Sequence, residues 1–150
     1  MNRITFDTSV IIAYKLTQAP KNFVLSSPVI SELISSADDD SERKTYEAIR
    51  RDHEKNGTLI VPTSEDWLLA SRILFWLSRK RKKQAGGQTP ALKRGASQRM
   101  MLDALIAVSA KREDVTVVTN DWNDYKAIQY YCKVKLKRGG DYFGPNGSNQ

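Results

Sequence analysis

The chain has 150 residues, 24 of them Lys or Arg and 17 Asp or Glu, for a formal net charge of +7. With 40% hydrophobic and 27% charged residues it suits one soluble folded domain and excludes a disordered chain. No apolar run approaches the roughly 20 residues that span a bilayer, so no membrane partner is expected. Met1 to Asp7 lack the basic and then apolar pattern of a secretory signal. One cysteine, Cys132, makes no intramolecular disulfide, and the expected setting is the cytoplasm. A single histidine, His53, excludes a two-histidine acid–base pair and, with one Cys, a Cys/His zinc site.

In chain order, Arg3 to Phe6 reads as a strand ending at Asp7, with Thr8 or Ser9 placed to cap an apolar helix from Val10 to Tyr14. Phe23 to Ser26 is a second strand, and Ser27-Pro28 opens a helix through Glu32 and Leu33. A charged amphipathic helix from about Ser41 to Lys55 ends at Gly57. Leu59 to Val61 is a third strand, and Thr63-Ser64-Glu65-Asp66 is a capping box for a helix from Trp67 to about Arg81. On that helix Trp67, Phe75 and Trp76 read as core, with any exposed part free to form a dimer face.

Gln84 to Pro90 is the clearest break, and helical pattern returns at Ser97 with Leu102, Leu105, Ile106 and Ser109 on one face. The break predicts a flexible basic loop over 84–98. Val115 to Val118 is a β-branched strand of the buried, parallel kind. A helix from Trp122 to Tyr130 and a last strand from Lys133 to Leu136 complete a domain over 1–138, with 139–150 expected as a flexible tail. Alternating strands and helices predict an α/β fold, a mainly parallel sheet of four to five strands with helices on both faces.

Ligands of such sheets bind at the carboxyl ends of the strands. Asp7 and Asp121 follow the first and fourth strands, Glu32 lies one helical turn past the second, and Asp103 sits in the helix before the fourth. Carboxylates converging there repel one another unless a cation intervenes, and an oxygen-only ligand set selects Mg²⁺ or Mn²⁺. Two such ions about 4 Å apart activate a water and stabilise a leaving oxygen. Each acid also has a plainer reading. Asp7 is placed to cap a helix, Glu32 to face solvent, Asp103 to pair with Arg99, and Asp121 and Asp124 to serve as cap and turn residues.

The segments Phe6-Asp7-Thr8-Ser9-Val10-Ile11, Ser27 to Leu33, Leu102-Asp103-Ala104-Leu105-Ile106-Ala107 and Val117-Val118-Thr119-Asn120-Asp121 resemble, in order, motifs of the PIN domain. The chain is similar to the VapC-type toxins within that family over about residues 3 to 136. The resemblance implies a PIN-like (Rossmann-like) fold and a metal-dependent endoribonuclease of single-stranded RNA, leaving 3′-hydroxyl and 5′-phosphate ends. It further implies a homodimer with a cognate antitoxin partner. By it, Asp7, Glu32, Asp103 and Asp121 are the catalytic and Mg²⁺- or Mn²⁺-binding carboxylates, and Ser9 and Thr119 support them. Asp124-Tyr125 falls one residue later than in many members, which leaves open whether Asp124 joins the metal shell. A PIN nuclease of RNA processing and a catalytically weak RNA-binding module are the alternatives.

The basic residues are not spread evenly. Arg79, Lys80, Arg81, Lys82, Lys83, Lys93, Arg94 and Arg99 fall within 21 residues that hold no acid, and the remaining 16 basic and 17 acidic residues nearly balance. These eight are expected to bind the RNA backbone beside the acidic site, or else an acidic segment of the antitoxin. Trp122, next to Asp121, reads as a base-stacking or a helix-packing residue. His53 and Cys132 read as incidental.

Overall fold

The computed structural model describes residues 2–14, 19–84, 86 and 94–144. Its elements run β1 (Ile4–Phe6), α1 (Thr8–Tyr14), β2 (Leu25–Ser26), α2 (Ser27–Ser35), α3 (Asp40–Lys55) and β3 (Leu59–Ile60). They continue with α4 (Ser64–Gln84), α5 (Arg94–Arg112), β4 (Thr116–Thr119), α6 (Trp122–Cys132), β5 (Leu136–Arg138) and α7 (Gly139–Phe143).

Every strand pairing is parallel. β4 lies between β1 and β5, with Phe6 opposite Val118 and Val118 opposite Lys137. β2 pairs with β3, and a bridge from Ile4 to Phe23 joins that pair to β1, giving the order β3-β2-β1-β4-β5. The chain thus steps outward from β1 in one direction through β2 and β3, then restarts on the other side with β4 and β5. The reversal falls between β1 and β4, where ligands of open α/β sheets bind. Successive strand residues face opposite sides of a sheet, and Ile4, Thr5 and Phe6 are all buried. Both faces are therefore covered, and the expected doubly wound α/β fold is the one adopted.

α5 is the central helix. Residues 104–110 are buried without interruption, which explains why small residues (Ala104, Ala107, Ala110) alternate with large ones there. A helix hydrophobic all round belongs in a core. α4 crosses it with a narrower stripe of Ala70, Ile73, Leu74 and Leu77. Its start is the expected capping box: Asp66 N–H donates to Thr63 Oγ1 (3.1 Å) and Thr63 N–H to Asp66 Oδ2 (2.9 Å).

Several local expectations are corrected. α1 is capped by Asp7, whose Oδ1 accepts from Val10 N–H (3.2 Å), not by Thr8 or Ser9. α4 continues to Gln84 and α5 already begins at Arg94, so the interruption is shorter than 84–98; 85 and 87–93, including Lys93, lie outside the described residues. β5 starts at Leu136 because Lys133 ends α6 in the left-handed conformation (φ 58°) and turns the chain before pairing resumes. Gly139 to Phe143 form α7, and Phe143 packs its ring 5.7 Å from that of Phe6; this part of the expected tail belongs to the fold, while 145–150 lie outside the described residues. Trp67, Phe75 and Trp76 are 50%, 55% and 38% exposed, so they are not core. Their positions flank the buried stripe of α4 instead of continuing it. Among the described residues no helix is long and apolar enough to cross a membrane.

Candidate acidic active site

The site starts from a buried aspartate. Asp7 directly follows β1 and is 2% exposed, so both its oxygens need partners. Oδ1 accepts from Ser9 Oγ–H (2.6 Å) and Val10 N–H, and Oδ2 accepts from Thr119 Oγ1–H at the end of β4 (2.6 Å). Thr119 Oγ1 accepts in turn from Asp121 N–H (2.9 Å), and Ser9 Oγ accepts from Asn120 N–H (3.3 Å). The ends of two adjacent parallel strands are thereby locked together through Ser9 and Thr119. Burial pushes the Asp7 carboxyl above its ordinary range, against the pull of the two hydroxyls and the amide, and Asp121 adds to the rise.

Asp103 lies in the middle of α5. Its carboxyl is pushed up to about 8, first by burial and then by the negative charges of Asp7, Asp121, Asp124 and Glu32. All five carboxylates therefore act on one region. Tyr125 on α6 is fully buried and directs its hydroxyl at Asp103 Oδ1 (3.4 Å); burial and the Asp103 charge hold the phenol well above its ordinary pKa, and so protonated. Sequence reasoning misses this contact. The available signal is the spacing of Asp121 and Tyr125, four residues apart and hence on one face of α6.

Asp121 and Asp124 are exposed. Asp121 occupies the cap position of α6 without making a side-chain cap bond, so the plain capping reading does not account for it. Glu32 is half-buried on α2. Asp103 and Arg99 form no ion pair, and among the described residues no salt bridge reaches any of the five carboxylates.

Asp103, Asp121 and Asp124 line a cavity of about 240 Å³ together with Arg81, Ala96, Arg99 and Met100. Arg81 gets there because it stands four residues past Leu77, continuing the buried stripe of α4 beyond the body of the core. The rest of the basic segment divides. Arg79 lies over the Phe75 ring (4.9 Å) and Lys80 over the Tyr130 ring (5.5 Å), on another face, while Lys82 and Lys83 are solvent-exposed. Arg94 opens α5. Trp122 is half-buried between Arg138 (4.6 Å) and Lys126 (5.7 Å).

An oxygen-only donor set, mutually repelling and without a salt bridge among the described residues, fits a hard divalent ion, because a cation at its centre removes the repulsion that raises Asp103. The carboxylates converge without closing: among the described residues, no three His, Cys, Asp or Glu side chains already form a ligand group.

A doubly wound parallel α/β domain with acids gathered at its topological switch point defines the class. The model of the PIN domain family matches residues 4–129, and the chain belongs to that family. PIN domains are generally nucleases that use divalent metals. Comparison with the curated proteins gives no match. Among solved structures, the chain resembles DNA-bound VapBC from Salmonella typhimurium, with a TM-score of 0.53 at 16% identity over 93% of this chain and 99% of that one. It also resembles FitAcB from Neisseria gonorrhoeae, with a TM-score of 0.54 at 18% identity over 91% and 97%. At such identities the likeness is one of fold.

Proposed function

We propose that this protein is a Mg²⁺- or Mn²⁺-dependent endoribonuclease that hydrolyses single-stranded RNA as the toxin of a toxin–antitoxin pair. The observation that carries this reading is the shared cavity, in which three aspartates of the acidic cluster meet Arg81 and Arg99. Carboxylates alone suit a cation. Carboxylates rimmed by arginines suit a cation together with a phosphodiester, since guanidinium groups hold phosphate oxygens in a bidentate fork.

Asp7, Asp103 and Asp121 would hold the ion, with Glu32 and Asp124 completing the cluster. When bound, the ion supplies Lewis-acid chemistry, lowering the pKa of a water and neutralising charge on the phosphate. The protein's own residues prepare for this. Ser9, Thr119 and the Val10 amide favour the ionised form of Asp7, and Thr119 orients it toward β4. Tyr125 donates to one oxygen of Asp103, leaving the other for a ligand. Arg81 and Arg99 hold the backbone flanking the scissile bond, with Lys82, Lys83, Lys93 and Arg94 adding longer-range attraction for the polyanion.

The toxin assignment draws on the sequence motifs and on a fold shared with VapBC and FitAcB. It carries with it a cognate antitoxin, a homodimer and a cytoplasmic setting. The test is cleavage of a defined single-stranded RNA with Mg²⁺, with Mn²⁺ and with EDTA, comparing wild type and Asp7→Asn. Metal-dependent cleavage is expected for wild type only. Equal cleavage by Asp7→Asn, in preparations free of contaminating nuclease, removes the proposal.

A further inference from the structure

α4 and α6 present a second surface that the acidic site does not use. Trp76 stacks on Tyr131 (ring centroids 5.2 Å, 29° between planes), and Tyr131 meets Tyr130 edge-on (5.0 Å). Trp76 is 38% and Tyr130 66% exposed, so the rings form an open platform instead of a core. Cations border it: Lys80 and Lys133 both lie over the Tyr130 ring, at 5.5 and 5.2 Å. Phe75, exposed one residue before Trp76, carries Arg79 in the same manner. No acid occurs on α4 after Asp66 or on α6 after Asp124.

Such a face has two obvious occupants, a nucleic-acid strand and a second copy of the chain. Charge decides between them. A two-fold contact places a patch against itself, so the positive face carrying Lys80, Lys133 and Arg79 meets the same positive face of the other copy, with no acid from α4 after Asp66 or α6 after Asp124 to offset it. Protein interface cores also tend to exclude Lys. A single strand offers what the patch lacks: flat bases to stack on exposed rings, and phosphates to neutralise the cations. We propose that Trp76, Tyr130 and Tyr131, bordered by Lys80 and Lys133, form a stacking site for single-stranded RNA outside the acidic cavity. The choice of RNA rests on the proposed function; the site itself does not depend on cleavage. The two surfaces meet at the end of α4, where Lys80 borders the platform and the next residue, Arg81, lines the cavity. A strand leaving the cavity over that helix end arrives at the rings.

The experiment is binding of a fluorescein-labelled 12-nucleotide oligouridylate to the full chain in EDTA, where no cleavage occurs, followed by anisotropy across a salt series. Tyr130→Ala is expected to weaken binding by about fivefold or more with an unchanged salt slope, since it removes one stacked base. Lys80→Gln is expected to weaken binding and lower the salt slope by about 0.7, the loss of one phosphate contact on a single strand. Both residues are exposed, so the fold is retained, and a circular dichroism melt checks it. Wild-type affinity and slope in both variants overturn the site. So does a concentration-dependent dimer that Tyr130→Ala dissociates, which assigns the face to a second copy. The two proposals fail separately: binding is read in EDTA, so weaker binding by Tyr130→Ala and Lys80→Gln supports the stacking site whether or not wild type proves to be a nuclease.

Discussion

Thr119 Oγ1 donates to Asp7 Oδ2 across 2.6 Å, joining two residues 112 apart in the chain at the ends of β1 and β4. Asp7 is thereby buried in a fixed orientation at the point where the sheet order reverses. Thr119→Val leaves that buried oxygen without its donor and is expected to cost about 1–3 kcal/mol of stability. Mn²⁺ affinity is expected to fall by about 10- to 100-fold, as for other groups that orient metal ligands. Urea unfolding and calorimetric Mn²⁺ titration measure the two effects, and Thr119→Ser, which keeps the hydroxyl, should restore both. A Val variant that binds Mn²⁺ like wild type separates Thr119 from the site.

Asp103 gives the metal-free protein a characteristic pH dependence. Its carboxyl has a pKa of about 8 in the fold against 3.8 ordinarily, so the folded state holds the proton more tightly than the unfolded chain. The resulting stability is fully present below about pH 4 and is lost as pH rises through 8. In EDTA, Tm should therefore fall between pH 5 and pH 8, and Asp7, also raised, acts in the same direction. Asp103→Asn should flatten the profile and melt above wild type at pH 8, where it removes a buried charge. Mg²⁺ should raise the wild-type Tm more at pH 8 than at pH 5. Parallel Tm profiles for wild type and Asp103→Asn count against the electrostatic reading.

Arg81 and Arg99 line the cavity with the aspartates, whereas Lys82, at the end of the same helix, is not among its lining residues. Arg81→Ala and Arg99→Ala are expected to raise KM for RNA cleavage by about tenfold each, the loss of one charge-assisted contact. Each should reduce the salt slope of binding by about 0.7. Lys82→Gln should have a smaller effect on KM. Steady-state kinetics across a salt series distinguish these, and equal effects at all three positions argue for a diffuse field instead of a phosphate clamp.

Asp66 serves stability instead of chemistry. It is buried, accepts from Thr63 N–H in the capping box of α4, and pairs with Arg112 Nε at the end of α5 (2.9 Å). Arg112 also donates to the Val61 carbonyl (3.1 Å). Arg112→Ala leaves a buried carboxylate without its cation; because the Arg112 side chain is 36% exposed, the expected cost is about 1–3 kcal/mol, below that of a fully buried pair. Denaturant unfolding measures it, and RNA cleavage below the melting range should be unchanged.

Chain-local chemistry determined much of this protein from sequence alone. Period and capping residues announce the order of strands and helices, because those signals act within a turn or two of the chain. The capping box at Thr63 and Asp66 is one example, and the end of α3 near Gly57 is another. Asp7 and Asp121, directly after strands, and Glu32, one helical turn past another, were legible for the same reason. Tertiary structure alone decided what the side chains meet. It put Asp103, mid-helix in α5, within the field of four other carboxylates, and set Tyr125 against it, through packing between segments far apart in sequence. It also turned Trp76 outward on α4, where the apolar character of the residue suggested the core. The net charge of +7 was visible from composition. That Arg81 faces the acids while Lys80, its neighbour, faces tyrosines follows only from where the 100° helical step between them falls against the rest of the fold.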